Sequence, residues 1–138
     1  MASCPLCLPE NETVLWQDGR CRVILADDAD YPGFCRVVWR EHVKEMTDLT
    51  EADRSHFMSV VFAVEGELRE LLHPDKINLA SLGNQVPHLH WHVIPRYTGD
   101  PHFPDPVWAA RRREAGKTGL NGAVLKDRLT QRLCEALT

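Results

Sequence analysis

An α+β domain, with a mainly antiparallel five-stranded sheet and one long helix packed on it, is the fold class this sequence predicts, on three observations. Short runs rich in β-branched and aromatic residues recur between turn signals, as strands do. One segment, Glu51 to Leu72, places Phe57, Val61, Val64, Leu68 and Leu71 at spacings of three and four, which lays a single apolar stripe along a helix. Neighbouring strand-like runs are joined by connections too short for the crossovers of a parallel sheet.

The elements follow in order. Cys4-Pro5-Leu6-Cys7 reads as a compact loop. Val14 to Gln17 and Cys21 to Leu25 read as two strands of a hairpin around the turn residues Asp18 and Gly19. Asp27, Asp28, Asp30 and Pro32-Gly33 interrupt the pattern, forming a candidate rim for a site, before a strand from Cys35 to Trp39. Thr50, with Asp53 three residues on, is a capping signal for the helix, and His73-Pro74 stops it because a residue before proline disfavours helical geometry. Lys76 to Leu82 is expected as a strand, Gly83 to Pro87 as a loop and Leu89 to Ile94 as a strand ending at Pro95. Asp100 to Pro106 is expected to be irregular. Ala109 to Glu114 and Ala123 to Leu137 are expected as helices separated by Gly116 to Gly122, with Arg111, Arg112 and Arg113 on a solvated helix face. The expected organisation is one domain over residues 1–138, with a core of about 4–96 and a C-terminal extension of about 97–138.

Bulk properties narrow the function classes. A formal charge of −4 lacks the cationic footprint of a general nucleic-acid binder, so any nucleotide taken here is expected to be small. No apolar run reaches the length of a membrane span, and Met1 to Glu10 lacks a signal-peptide pattern, so the expected location is the cytoplasm. In that reducing compartment the five cysteines point to metal binding or burial rather than disulfides, with Cys21, Cys35 and Cys134 read as small buried hydrophobes.

The informative stretch is His88-Leu89-His90-Trp91-His92-Val93-Ile94. In a strand successive side chains alternate, so His88, His90 and His92 line one face and three imidazoles project together. Three readings stay open on spacing alone. The histidines are a polar face in water, or ligands of a catalytic metal that activates water, or members of a nucleophilic site.

The pattern His-φ-His-φ-His-φ-φ, with φ apolar, resembles the signature of the histidine triad family, and His88 to Ile94 matches every position. The resemblance extends through Asn78 to Pro87 and back to the Cys4-x-x-Cys7 of the family's zinc-containing branch, covering roughly residues 4 to 96. It implies the histidine triad fold and a nucleotide hydrolase or transferase. His90 would attack the α-phosphorus to form a covalent nucleotidyl-imidazole, with His92 hydrogen-bonding around the reacting phosphate and His88 completing the triad. A neutral imidazole is nucleophilic near neutral pH, which suits that role. By the same resemblance Asn78 and Asp27 would contact the ribose or phosphate region, and groups near Asn84 and Gln85 would stabilise charge on the phosphoryl oxygens.

The resemblance also implies a structural zinc held by Cys4, Cys7, His42 and His88, a closed four-ligand set, with no organic cofactor. Dinucleoside polyphosphates, nucleoside phosphoramidates and related adenylates are the implied substrates. The implied partners are a small nucleotide and a second copy of the chain in a homodimer, with neither nucleic acid nor membrane. A catalytically slow nucleotide-binding protein is the remaining alternative. The chain departs from the family pattern at Phe34, where many members carry histidine after Pro-Gly, at Trp39, which replaces a usual proline, and in a pre-triad loop one residue shorter.

Overall fold

The computed structural model describes residues 4–116 and 119–137. Lys117 and Thr118, inside the segment expected to separate two tail helices, lie outside the described residues, as do Met1 to Ser3 and Thr138. Five strands form one sheet: β1 (Thr13–Gln17), β2 (Cys21–Leu25), β3 (Cys35–Trp39), β4 (Lys76–Ala80) and β5 (His90–Arg96). Their spatial order is β1-β2-β3-β5-β4, and every neighbouring pair is antiparallel. Helix α1 (Glu51–Leu72) joins β3 to β4, and α2 (Gly122–Ala136) closes the chain. The α+β class with its antiparallel sheet is therefore as expected.

Strand alternation splits the sheet into two chemically different faces. Cys21, Val23, Cys35, Val37, Trp39, Ile77 and Val93 are buried in a core shared with Phe57, Val60, Val61, Val64 and Leu68 of α1. Leu125, Leu129 and Leu133 of α2 complete that same core. The opposite face carries Arg36, His90, His92, Ile94 and Arg96, with a second small apolar cluster of Ala26, Tyr31, Phe34 and Ile94. One face is thus spent on packing, and the other is left for chemistry.

Local signals set the ends of α1. Thr50 Oγ1 accepts from the Asp53 amide at 3.2 Å, satisfying one of the helix's free N–H groups. At the other end His73 adopts a left-handed conformation, φ 48°, and caps onto the Arg69 carbonyl.

Three expectations need correction. β5 runs through Pro95 to Arg96, because pairing with β3 ends at Val93 and the proline falls where the strand has lost that neighbour. Ala109 to Glu114 is not helical. Its backbone is held from outside, with the Arg112 and Arg113 amides donating to the Pro101 carbonyl, so tertiary anchoring replaces helical bonding. Cys134 is exposed rather than buried, although Cys21 and Cys35 are buried as expected. Among the described residues no helix is long and apolar enough to cross a membrane.

Candidate active site

His90 opens β5 and is 8% exposed. Its Nδ1 lies 2.5 Å from the His88 carbonyl oxygen. A carbonyl only accepts, so Nδ1 carries the proton and the lone pair of the neutral ring is on Nε2. Nε2 makes no hydrogen bond among the described residues and is not sealed from solvent. Ser81 Oγ donates to the His90 carbonyl at 2.7 Å and fixes the backbone from the other side.

His92 lies beyond it, its ring centroid 5.0 Å from that of His90 at an interplanar angle of 80°. Phe34 and Trp108 flank it edge-on, at 5.7 and 5.0 Å. Burial first, then the neighbouring His90 and Arg36, pushes the His92 pKa down to about 4. His92 is therefore neutral at neutral pH. Its Nδ1 is buried without a partner, and a buried lone pair costs less than a buried orphan N–H. The favoured tautomer keeps the proton on the open Nε2, ready to donate to a ligand oxygen.

The expectation of three imidazoles projecting together is corrected at His88. It sits in a bend before β5, completely buried, with Nε2 2.6 Å from the Trp39 carbonyl. Nε2 is thus the donor, and the Nδ1 lone pair turns toward Cys4 Sγ at 3.4 Å, Cys7 Sγ at 3.3 Å and His42 Nδ1 at 3.2 Å. The ligand atoms of Cys4, Cys7, His42 and His88 all lie within 4.8 Å of one another. Tetrahedral zinc with nitrogen and sulfur ligands has ligand-to-ligand edges of about 3.3–3.8 Å, so the contacts have the right scale. Desolvation and the adjacent Cys4 raise the Cys7 thiol, so a bound cation is what would favour its thiolate. The donor set fits a metal, and neither His90 nor His92 belongs to it.

The other expected residues are distributed unevenly. Asn78 shares the histidine face, but its Oδ1 accepts from Arg96 Nη1 at 2.7 Å, which makes it a support for that arginine. Asp27 is exposed just after β2, and Asn84 and Gln85 are exposed in the loop before β5. No hydrogen bond or ion pair among the described residues joins these three to the histidines.

Sequence reasoning missed the part the tail plays. Arg96, 2% exposed, donates to both oxygens of Asp100 at 2.7 and 3.1 Å and to the Asp105 carbonyl at 2.7 Å. Tyr31 donates to Asp100 Oδ1 at 3.1 Å, and His102 Nδ1 is 2.6 Å from the same hydroxyl. Arg111 pairs with Asp30, Arg112 with Asp105, and Arg113 donates to the Asp100 and Phe103 carbonyls, so the basic run is exposed as expected but lies off any helix and ties the tail down. This anchoring delivers Trp108 to the edge of His92. An arginine in a buried strand with an aspartate four residues on was the available sequence signal. A mostly apolar cavity of about 380 Å³ between the end of α1 and the tail, lined by Tyr31, Leu72, Tyr97 and Leu120, contains none of the three histidines.

The HIT domain family profile matches residues 9–99. A histidine triad protein from Bradyrhizobium japonicum is similar at 31% identity and TM-score 0.74, with 95% of this chain and 94% of that chain covered. One from Marinobacter aquaeolei VT8 is similar at 31% identity and TM-score 0.76, with 91% of each chain covered. A zinc-bound histidine triad family protein from Mycobacterium smegmatis, at 22% identity and TM-score 0.69 over 96% of this chain and 94% of that one, shares the fold. Among curated proteins none matches.

Proposed function

The chain belongs to the histidine triad family, whose members are generally nucleotide hydrolases and transferases, and from that premise we propose that it cleaves nucleotide derivatives at the α-phosphorus through a covalent nucleotidyl-His90. The observation that carries this reading is the hydrogen bond from His90 Nδ1 to the His88 carbonyl, which leaves Nε2 as the free nucleophilic nitrogen.

In the first step His90 Nε2 bonds to phosphorus, and the bond to the leaving group breaks with its electron pair going to the leaving atom. His92 donates from Nε2 to a phosphoryl oxygen, holding the charge that builds there. The His88 carbonyl holds the Nδ1–H and steadies the imidazolium-like ring of the adduct. Water then attacks phosphorus and releases a proton to solvent, the N–P bond breaks, and the electron pair returns to Nε2. Dinucleoside polyphosphates and nucleoside phosphoramidates or adenylates are the proposed substrates, with Asp27, Asn84 and Gln85 as nucleotide contacts from the rim and Asn78 acting through Arg96.

Cys4, Cys7, His42 and His88 are the residues proposed to hold a structural zinc, as in the family's zinc-containing branch. That ion would contribute cross-linking of the N-terminal loop to the residue whose carbonyl orients His90. The two-cysteine, two-histidine donor set supports this, and its geometry favours a structural site over a metal-activated water on the triad. A homodimer that pairs one edge of the sheet, β1 or β4, across a two-fold axis completes the proposal.

His90→Ala tests the reaction. Turnover is expected to fall by about 10³-fold or more while the thermal midpoint stays near wild type. Turnover within about threefold of wild type contradicts nucleophilic catalysis by His90. Cys4→Ser with Cys7→Ser tests the metal. Purified wild type is expected to carry one zinc per chain and the double variant none, whereas equal content in both places the metal elsewhere.

A further inference from the structure

One strand away from the histidines lies a cation that the reaction above does not use. Arg36 on β3 is directly opposite His92 on β5, and Ile24 and Ala80 continue the same row on β2 and β4. Arg36 is partly buried on the histidine face, beside the fully buried Val38 and the almost fully buried His92, so its guanidinium is partly withdrawn from water and gains from a partner.

Nothing in the chain answers it fully. The Arg36 guanidinium carbon stands 5.5 Å from the centroid of Phe34, a cation–π contact that gives its five N–H donors no hydrogen-bond acceptor. Among the described residues those donors make no hydrogen bond and no ion pair. Asp28 acts on Arg36 only as a charge beyond bonding distance. The other two arginines of this face contrast with it, since Arg22 is paired to Glu12 and Arg96 to Asp100. Facing Arg36, His92 is 6% exposed and also holds an unpartnered nitrogen.

We infer that Arg36 is a specificity-determining residue that receives a second anionic group of the substrate, the phosphate adjoining the one that His90 attacks. The inference deepens the nucleotidyl-transfer reading and rests on it. Adjacent strands stand about 4.8 Å apart, a gap that the long arginine stem spans, and the guanidinium fork matches two oxygens of one phosphate. The ligand class so selected is the nucleoside polyphosphate, including two nucleosides joined by a phosphate chain. Derivatives whose α-phosphorus carries an uncharged amine offer Arg36 nothing.

Two measurements decide it. In the first, zinc-loaded His90→Ala protein, which binds without turnover, is titrated calorimetrically with adenosine mono- and diphosphate and with the guanosine pair, with Arg36 intact and as Arg36→Met. With Arg36 the diphosphate is expected to bind about tenfold or more tighter than the monophosphate, and Arg36→Met is expected to abolish that ratio. A ratio near one with Arg36 intact, no binding of any of the four, or a ratio that survives the substitution overturns the inference. In the second, the ratio of kcat/KM for diadenosine tetraphosphate to that for an adenosine phosphoramidate is compared in wild type, Arg36→Lys and Arg36→Met. The ratio is expected to drop about tenfold or more in Arg36→Met and less in Arg36→Lys, while equal losses on both substrates overturn the role. If the titration behaves as expected but no nucleotidyl adduct forms on His90, the covalent reading fails and the anion site stands.

Discussion

His90 and His92 hold their rings by different means, and this sorts their chemistry. His90 is fixed through a carbonyl that selects its tautomer, whereas His92 is fixed by aromatic edges and is neutral because burial forbids its charge. With a folded pKa near 4 against about 6.5 unfolded, the unfolded chain binds a proton between those values that the folded chain refuses. Stability is then complete above about pH 6.5 and falls by on the order of 3 kcal/mol as pH drops toward 4. Urea midpoints across pH 4–7 are expected to fall less steeply in His92→Gln than in wild type, and matching slopes contradict this. Asp100 acts in a separate window. Burial alone would raise its carboxyl, but Arg96 and the amides of His102, Tyr97 and Phe103 hold it well below the usual range, so its contribution is lost only below about pH 4. At this scale the sequence was legible where period two placed His90 and His92 on one face. Period two misplaced His88, whose ring is turned by a carbonyl on a different strand and which only family resemblance set beside the cysteines, and Arg36 was missed although a charged residue inside an apolar run was the signal.

Elements place those residues through a few tight points. Gly33 brings the loop after β2 back into β3 at φ 87°, and a Cβ there would lie 2.7 Å from Leu72 Cδ1 and 3.2 Å from Leu68 Cδ2. Both the left-handed backbone and the contact with α1 require glycine. Gly33→Ala is expected to cost about 1–3 kcal/mol and to displace Phe34 from His92, lowering both the thermal midpoint and turnover. An unchanged midpoint contradicts this account. Strand and helix limits were largely legible because periodicity and caps are local, as at Thr50 and His73. The Ala109 to Glu114 helix failed for the converse reason. Its composition favours a helix, but Pro101, Asp105 and Asp30 pull its backbone and arginines outward, and such partners are invisible in a local window.

Across the whole molecule, the tail belongs to the site as much as to the core. Arg96 is buried with its donors on Asp100, Asn78 and the Asp105 carbonyl, and this knot leads the chain to Trp108. Removing one partner of a buried pair strands the other, so Arg96→Met is expected to cost about 3–5 kcal/mol and to open residues 100–113 to limited proteolysis. Digestion kinetics equal to wild type contradict that anchoring. Leu129 of α2 is fully buried against the core, and Leu129→Ala is expected to cost about 2–5 kcal/mol in denaturant melts, a loss that a merely appended helix would not produce. The joining of Cys4 and Cys7 to His42 and His88 was anticipated through family resemblance, whereas the sheet order, which depends on long-range pairing, was not read from the sequence. The central claim is that Nε2 of His90 becomes covalently bonded to phosphorus. Intact-protein mass after rapid quenching with diadenosine polyphosphate and with a nucleoside phosphoramidate tests it most directly. A transient gain of one nucleotidyl group, mapped to His90 and absent from His90→Ala, is the predicted result, while turnover with no such gain at any quench time would contradict it.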